Sequence, residues 1–65
     1  MVIINGEEKN AAGINLSQYL NDNNFDPRMI AVELNYVIIP KTEYETTFLD
    51  DGDTVEIVSF MGGGC

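Results

Sequence analysis

The chain has 65 residues, enough for one small domain, and a domain of this size buries only about 60% of the surface that its unfolded form exposes. Eleven acidic residues against three basic ones give a formal net charge of −8, which disfavours nucleic acid and anionic membranes as partners and favours a protein with a basic face. Because there is no histidine and one cysteine, Cys65, the chain lacks an imidazole active site, an intrachain disulfide and a thiolate metal cluster, and we expect it not to be an enzyme.

The sequence opens with a predicted β-hairpin. Residues 1–4 are apolar, and the dipeptide that follows, Asn5-Gly6, is a strong signal for a tight turn between two strands. Residues 7–12 are more polar and are predicted to return as a weak second strand. One well-defined strand and one weak strand are therefore expected at the start of the domain.

A short amphipathic helix is predicted next. Asn15 can act as its N-cap, and Gln18 stands where a capping box would close. Ile14 and Tyr19 have the spacing of a hydrophobic staple across the helix start. Apolar side chains in the first turns form one stripe, and the polar segment 21–24, with a proline soon after it, ends the helix.

The second half of the sequence predicts three further strands. The side chains of residues 30–34 alternate between two faces, and residues 37–39 are predicted to pair with them across a tight turn at Asn35-Tyr36. Residues 41–49 are less regular and are expected to form a short helical turn or a loop. After an acidic turn, residues 54–60 form the best strand of the chain by their content of β-branched residues.

These elements predict an α+β roll in which one helix covers one face of a mixed sheet of four or five strands. The domain is expected to span residues 1–60, and residues 61–65 are expected to form a flexible tail, because glycine loses much conformational entropy on ordering. Eight aliphatic residues are predicted to lie in the core: Ile3, Leu16, Leu20, Ile30, Val32, Leu34, Val55 and Ile57.

The glycine-rich tail is the segment where chemistry is expected. Gly62, Gly63 and Gly64 precede Cys65, and a strip without side chains can thread a narrow channel and bring a terminal carboxylate into the active site of another protein. A frayed terminus and an engineered addition that ends in a thiol are the alternatives. No basic residue lies near Cys65 in the sequence to activate its thiol, which disfavours a redox or nucleophilic role.

The strand that leads into the tail also carries a predicted docking patch. Val58, Phe60 and Met61 are apolar residues expected on the face opposite the core. Glu56, on the same strand, is expected to steer a basic partner face towards this patch. The alternative is that these apolar groups lie on a second covered face of the sheet.

Neither a metal site nor a membrane segment is predicted. The acidic turn at residues 50–53 does not have the spacing of a calcium-binding loop. No apolar run approaches the ~20 residues that span a bilayer, and residues 1–4 lack the basic start and cleavage pattern of a signal peptide. We therefore expect a cytoplasmic protein that is a monomer when free.

The order and spacing of these motifs cover essentially the whole chain: the turn at residues 5–6, the helix at 16–20, the strand at 30–35, the segment 51–58 and the terminal glycines. Together they resemble the ThiS family, the ubiquitin-like sulfur carriers of thiamin biosynthesis, which have a β-grasp fold. The molybdopterin-synthase small subunit shares the fold and the tail but is usually longer. A ubiquitin-like interaction module or tag is a further alternative, and an RNA-binding β-grasp domain is disfavoured by the net charge.

The resemblance implies that the chain is a carrier on which other enzymes act. An E1-like adenylyltransferase of the ThiF type would adenylate the carboxylate of Gly64, sulfur would replace AMP to leave a thiocarboxylate, and a thiazole synthase of the ThiG type would use that sulfur. ATP and magnesium would belong to the partner, so no cofactor is expected in this chain. Such carriers usually end on glycine, so Cys65 is either removed by a peptidase before activation, or an addition, or a sign that the tail works differently.

Overall fold

The computed structural model describes residues 1–60, and the predicted tail at 61–65 lies outside the described residues. The described chain contains five strands, one α-helix and two 3-10 helices. In chain order these are β1 Val2–Ile4, β2 Glu7–Lys9, α1 Leu16–Asp22, a first 3-10 helix Pro27–Met29, β3 Ile30–Leu34, β4 Val37–Ile39, a second 3-10 helix Lys41–Thr46 and β5 Thr54–Ser59.

The last strand of the chain occupies the centre of the sheet. The strand order is β2-β1-β5-β3-β4, with β5 parallel to β1 and antiparallel to β3. The two flanking hairpins, β1–β2 and β3–β4, are each antiparallel. The predicted mixed sheet is confirmed, although β2 ends at Lys9 instead of residue 12 and β5 ends at Ser59 instead of Phe60.

Both hairpins turn through an asparagine. Asn5 and Asn35 have φ angles of 51° and 52°, and the residues that follow them, Gly6 and Tyr36, have φ angles of 84° and 69°. Two successive residues with positive φ define the type I′ turn, whose twist matches that of antiparallel strands. Glycine reaches this conformation without strain, whereas a bulky side chain such as that of Tyr36 is strained there by about 1–2 kcal/mol.

The two turn asparagines also fix the hairpins to β5. The Asn5 Oδ1 atom accepts a hydrogen bond from the Ile57 N–H at 2.8 Å. On the other side of β5, the Asn35 Oδ1 atom accepts from the Thr54 N–H at 2.9 Å. The central strand is therefore held by one side-chain bond from each neighbouring hairpin.

Helix α1 begins and ends where the sequence predicts. The side chain of Asn15 accepts from the Gln18 N–H at 3.1 Å, which confirms the N-cap. The capping box does not close, because the Gln18 side chain donates to Asp22 Oδ1 at 2.8 Å instead of accepting from the Asn15 N–H. The last helical residue is Asp22, within the polar segment 21–24 that is predicted to end the helix.

The core lies between α1 and one face of the sheet. The predicted core residue Leu34 is only partly buried and packs against the buried side chains of the core. Burial raises the pKa of the Tyr44 hydroxyl above its ordinary value. No helix among residues 1–60 is long and apolar enough to span a bilayer. The buried residues are Val2, Ile4, Ala11, Leu16, Leu20, Ile30, Val32, Tyr44, Leu49, Val55 and Ile57.

The prediction that Ile3 belongs to the core was wrong. Successive side chains of a strand point to opposite faces, and in β1 the buried residues are Val2 and Ile4. Ile3 is 39% exposed and lies in register with Thr54, on the face away from the helix. We call this face of the sheet the open face.

Candidate functional site

The strand that leads into the tail has the two faces that the sequence predicts. Val55 and Ile57 are buried, whereas Glu56 is exposed and Val58 retains 52% of its surface. Phe60, just beyond the strand, is 63% exposed. The alternative that these apolar groups lie under a second covered face is therefore wrong for residues 1–60.

The open face combines apolar and acidic side chains. Val58 lies opposite Ala31, and Glu56 lies directly opposite Glu33 on the neighbouring strand. Two like charges in this arrangement destabilise a sheet by about 0.2–1 kcal/mol. Neither carboxylate has an ion-pair partner within the described part of the chain, so a cationic group on a partner would relieve their repulsion.

Phe60 is held in place at the end of β5. Its N–H donates to the Met29 carbonyl oxygen at 2.8 Å, which continues the sheet by one bond. The Lys41 Nζ atom lies 5.6 Å from the centre of the Phe60 ring and donates to the Ile30 carbonyl oxygen at 3.3 Å. A cation over an aromatic face contributes about 0.5–1 kcal/mol at an exposed site. The tail therefore begins from an ordered point.

The three basic residues differ in their partners. Lys9 pairs with Glu7 at 3.1 Å, and Arg28 pairs with Asp26 at 2.9 Å. The hydrogen bonds from Arg28 lower the pKa of Asp26, and the hydrogen bond to Glu7 raises the pKa of Lys9. Within residues 1–60, Lys41 is the basic residue that has no carboxylate partner, and it lies beside Phe60.

The acidic turn at residues 50–53 is a structural turn. The Asp53 carboxylate accepts from the Asp50 N–H at 2.8 Å and from the Asn35 side chain at 3.0 Å. Asp51 pairs with the N-terminal amine. No group of three or more metal-ligating side chains occurs in the described range. The carboxylates of Asp51 and Asp53 therefore stabilise the turn and its contacts with other segments of the chain.

Two surface features are not indicated by any pattern in the sequence. One is a polar depression of about 350 Å³ beside α1. The other is the tip of the β3–β4 hairpin, where Tyr36, Val37 and Ile38 are 79%, 63% and 67% exposed. The depression is lined by Asn15, Ser17, Gln18, Asn21, Phe25, Pro27 and Glu45.

The residues predicted to carry the chemistry lie outside the described residues. They are Gly64 as the reacting residue, Gly62 and Gly63 as the threading segment, and Met61 as part of the docking patch. Cys65 lies there as well. These assignments stay predictions, while the structure describes the platform from which the tail begins.

Comparison with known proteins covers almost the whole chain. The family model described as the ThiS family matches residues 2–64. A thiazole synthase from Paramagnetospirillum magneticum is 44% identical over 64 residues, which are 97% of this chain and 20% of that protein, so the chain spans about a fifth of the length of this relative. A protein named ycf40 from Pyropia yezoensis is 40% identical over 94% of this chain and 87% of its own length. A sulfur carrier protein ThiS from Thermus thermophilus is 36% identical over 98% of this chain and 100% of its own length.

A solved structure has the same architecture. The crystal structure of the thiamine biosynthesis protein ThiS from Geobacter metallireducens superimposes with a TM-score of 0.76. It is 30% identical in sequence, and the match covers 97% of each chain. The expected β-grasp fold, a five-stranded mixed sheet with one helix, is thereby confirmed.

Proposed function

Since this chain belongs to the ThiS family of sulfur carriers in thiamine biosynthesis, we propose that it carries sulfur as a thiocarboxylate on Gly64. A carboxylate oxygen of Gly64 attacks the α-phosphorus of ATP in a ThiF-type adenylyltransferase, and pyrophosphate leaves. A sulfur nucleophile then displaces AMP from the acyl carbon. The observation that carries this proposal is the family match, which runs through residue 64 and so includes the glycine run.

The reaction needs Gly64 as the terminal residue. An amide bond to Cys65 leaves no carboxylate oxygen on Gly64 to attack phosphorus. The family match ends at residue 64, which supports the view that Cys65 is not part of the working tail. A peptidase that removes Cys65 is then a partner, unless the residue is an addition.

Docking on the adenylyltransferase uses the end of β5 in this proposal. Phe60 and Val58 are exposed apolar groups at the root of the tail, and Met61 follows them in sequence. Glu56 and its neighbour Glu33 provide the acidic part of the surface. A basic partner face would relieve the repulsion between these two carboxylates, so association should be fast and salt-dependent.

Thiazole synthase is the proposed acceptor of the sulfur. Support comes from relatives that bear this name, from Paramagnetospirillum magneticum and Magnetococcus marinus, which match the chain over 20% and 19% of their length. A segment similar to this carrier therefore occurs within longer proteins of that name. The same family match favours the thiamin branch over the molybdopterin-synthase branch.

Pyrophosphate exchange with the cognate adenylyltransferase tests the proposal. We expect exchange with a chain that ends at Gly64 and none with the 65-residue chain, because only the first has a glycine carboxylate. Gly64→Val in the shorter chain should stop exchange, since a β-branched side chain crowds the narrow channel through which the carboxylate must reach ATP. Intact-mass measurement after addition of the sulfur source should show one oxygen replaced by one sulfur. Equal exchange with the 65-residue chain would mean that Gly64 is not the reacting residue.

A separate variant tests the proposed docking of the end of β5 on the adenylyltransferase. Phe60→Asp should weaken binding to the adenylyltransferase about tenfold or more, as for an interface anchor. Its exposure predicts that the fold survives, and a cooperative thermal transition near that of the unmodified chain checks this. Ile3→Asp, on the same face but on β1, is the matched control and should bind nearly normally. An unfolded Phe60→Asp chain would instead assign Phe60 to the core.

A further inference from the structure

The exposed tip of the β3–β4 hairpin is an apolar surface with no role in the fold. We call Tyr36, Val37 and Ile38 the hairpin tip; each retains more than 60% of its surface, at 79%, 63% and 67%. Tyr36 lies in the turn, and Val37 and Ile38 point to opposite faces of the edge strand β4, so apolar side chains surround the end of the hairpin. Exposed apolar residues scattered singly are ordinary, whereas three grouped at one hairpin end indicate a contact surface.

The turn itself does not need the Tyr36 side chain. Asn35 supplies the bonds of the turn, through its N–H to the Thr54 carbonyl oxygen at 2.7 Å and through its side chain to Thr54 and Asp53. The Tyr36 hydroxyl forms no hydrogen bond with residues 1–60, and its φ of 69° is one that glycine adopts without strain. A bulky exposed residue kept in a strained conformation points to a role outside the fold.

The hairpin tip lies far from the root of the tail. Asn35 is bonded to Thr54 at the start of β5, and Phe60 follows the end of the same strand. Six strand residues at ~3.3 Å each separate the two ends by about 20 Å. A surface that binds the hairpin tip is therefore distinct from the channel that takes the tail.

The charges around the hairpin tip define its partner. Glu33 lies opposite Ile38, and Asp53 is bonded to Asn35, so both charged neighbours are acidic. The sequence contains no lysine or arginine from residue 33 to residue 40. A second copy of the chain would bring two net charges of −8 together, and so electrostatic complementarity favours a partner with a basic surface.

We propose that the hairpin tip docks into an apolar pocket with a basic rim on thiazole synthase, separately from the tail. This inference rests on the proposed function, because it takes thiazole synthase as the acceptor of sulfur. Similar segments within longer proteins named thiazole synthase favour this enzyme as the occupant. The tip contact holds the carrier while the tail enters or leaves the active site.

Calorimetric titration of purified thiazole synthase with the 65-residue chain and its variants tests this inference. Tyr36→Gly should weaken binding about tenfold or more, as for an aromatic anchor. Val37→Thr, similar in shape and compatible with a strand, should weaken it by a smaller factor. Glu8→Ala, on the strand of the other hairpin, is the matched control and should leave binding within about twofold. Raising the salt concentration should weaken binding of the unmodified chain.

Several results would overturn the inference. One is that the Tyr36→Gly chain binds thiazole synthase as tightly as the unmodified chain does. Another is that the unmodified chain shows no measurable binding. A dimer in analytical ultracentrifugation that Tyr36→Gly dissociates would assign the hairpin tip to a second copy. Pyrophosphate exchange by a Tyr36→Gly chain ending at Gly64 should match that of the unmodified chain ending there. Loss of exchange in both would indicate failure of the proposed function instead.

Discussion

The two hairpins that flank β5 share their geometry and differ in their chemistry. Each turns through an asparagine with positive φ, and each asparagine bonds to the backbone of β5. The first hairpin continues with Gly6 and the charged strand Glu7–Lys9, while the second continues with Tyr36 and the apolar strand Val37–Ile39. The asparagine makes the same kind of bond to β5 in both hairpins, so the two hairpins differ in the residues that follow it, which in the second hairpin form the proposed docking surface.

The asparagines should give the largest effects on stability. We expect Asn5→Ala to lower the free energy of unfolding by about 2–3 kcal/mol, because it leaves the Ile57 N–H without its partner and puts alanine at positive φ. Asn35→Ala should cost about 1–2 kcal/mol, since water can reach its more exposed bonds. Urea unfolding measures both. Costs near zero would show that the shared geometry does not depend on these side chains.

Moving the tyrosine to the other hairpin should give the next largest effect. Gly6 has a φ of 84° and no atom within 4 Å of where a Cβ would lie, so Gly6→Tyr meets conformational strain and no clash. We expect a loss of about 1–2 kcal/mol in the free energy of unfolding. Gly6→Asn is the control and should lose less, because asparagine tolerates positive φ. An unchanged stability for Gly6→Tyr would remove strain as an argument about Tyr36.

Removing one charge of the like-charged pair on the open face should have a smaller effect, which raises stability and slows association. Glu56→Gln removes the repulsion with Glu33 and should raise the free energy of unfolding by about 0.2–1 kcal/mol. The same variant should slow association with the adenylyltransferase at low salt. Stopped-flow kinetics and urea unfolding measure the two. A variant that is more stable and also associates faster would contradict the steering role of Glu56.

The ion pair that precedes the second hairpin should give the smallest effect. Hydrogen bonds from Arg28 lower the pKa of Asp26 in the folded chain, so this contribution is present above the unfolded pKa of about 3.9 and is lost as pH falls through the folded value. Asp26→Asn should therefore lower the melting temperature slightly at pH 7 and leave it nearly unchanged at pH 2, so that the fall in melting temperature below pH 4 is flatter. Calorimetry from pH 2 to 7 tests this. An equal loss at both ends of this range would assign Asp26 another role.

Most strands could be predicted from the sequence because their patterns are local. The strands at residues 30–34 and 37–39 were predicted with the bounds that the structure has. Ile3 was misassigned because residues 1–4 are all apolar, so no alternation indicates which side chains face the helix. The end of the helix could be predicted because the polar segment 21–24, which contains its last residue Asp22, breaks the apolar pattern.

The candidate site could be predicted only in part, because it depends on contacts between distant segments. The exposure of Val58 and Phe60 followed from alternation along one strand. Lys41 lies over Phe60, although a loop and strand β5 separate the two residues in sequence, and no local pattern indicates this contact. The hairpin tip was predicted as strand and turn, while its exposure depends on how far the helix reaches over the sheet.

The central position of β5 has a consequence for how the protein is made. β1 and β3 are each bonded to β5 and not to one another, so the two hairpins have no common sheet until the last strand is present. During synthesis, a chain that has not yet released residues 54–59 from the ribosome lacks the strand that joins its two halves. Folding must then follow the completion of this strand, and contacts so distant in sequence make it slow compared with that of a helical domain. A fragment that stops before residue 54 lacks this joining strand and is expected to stay unfolded.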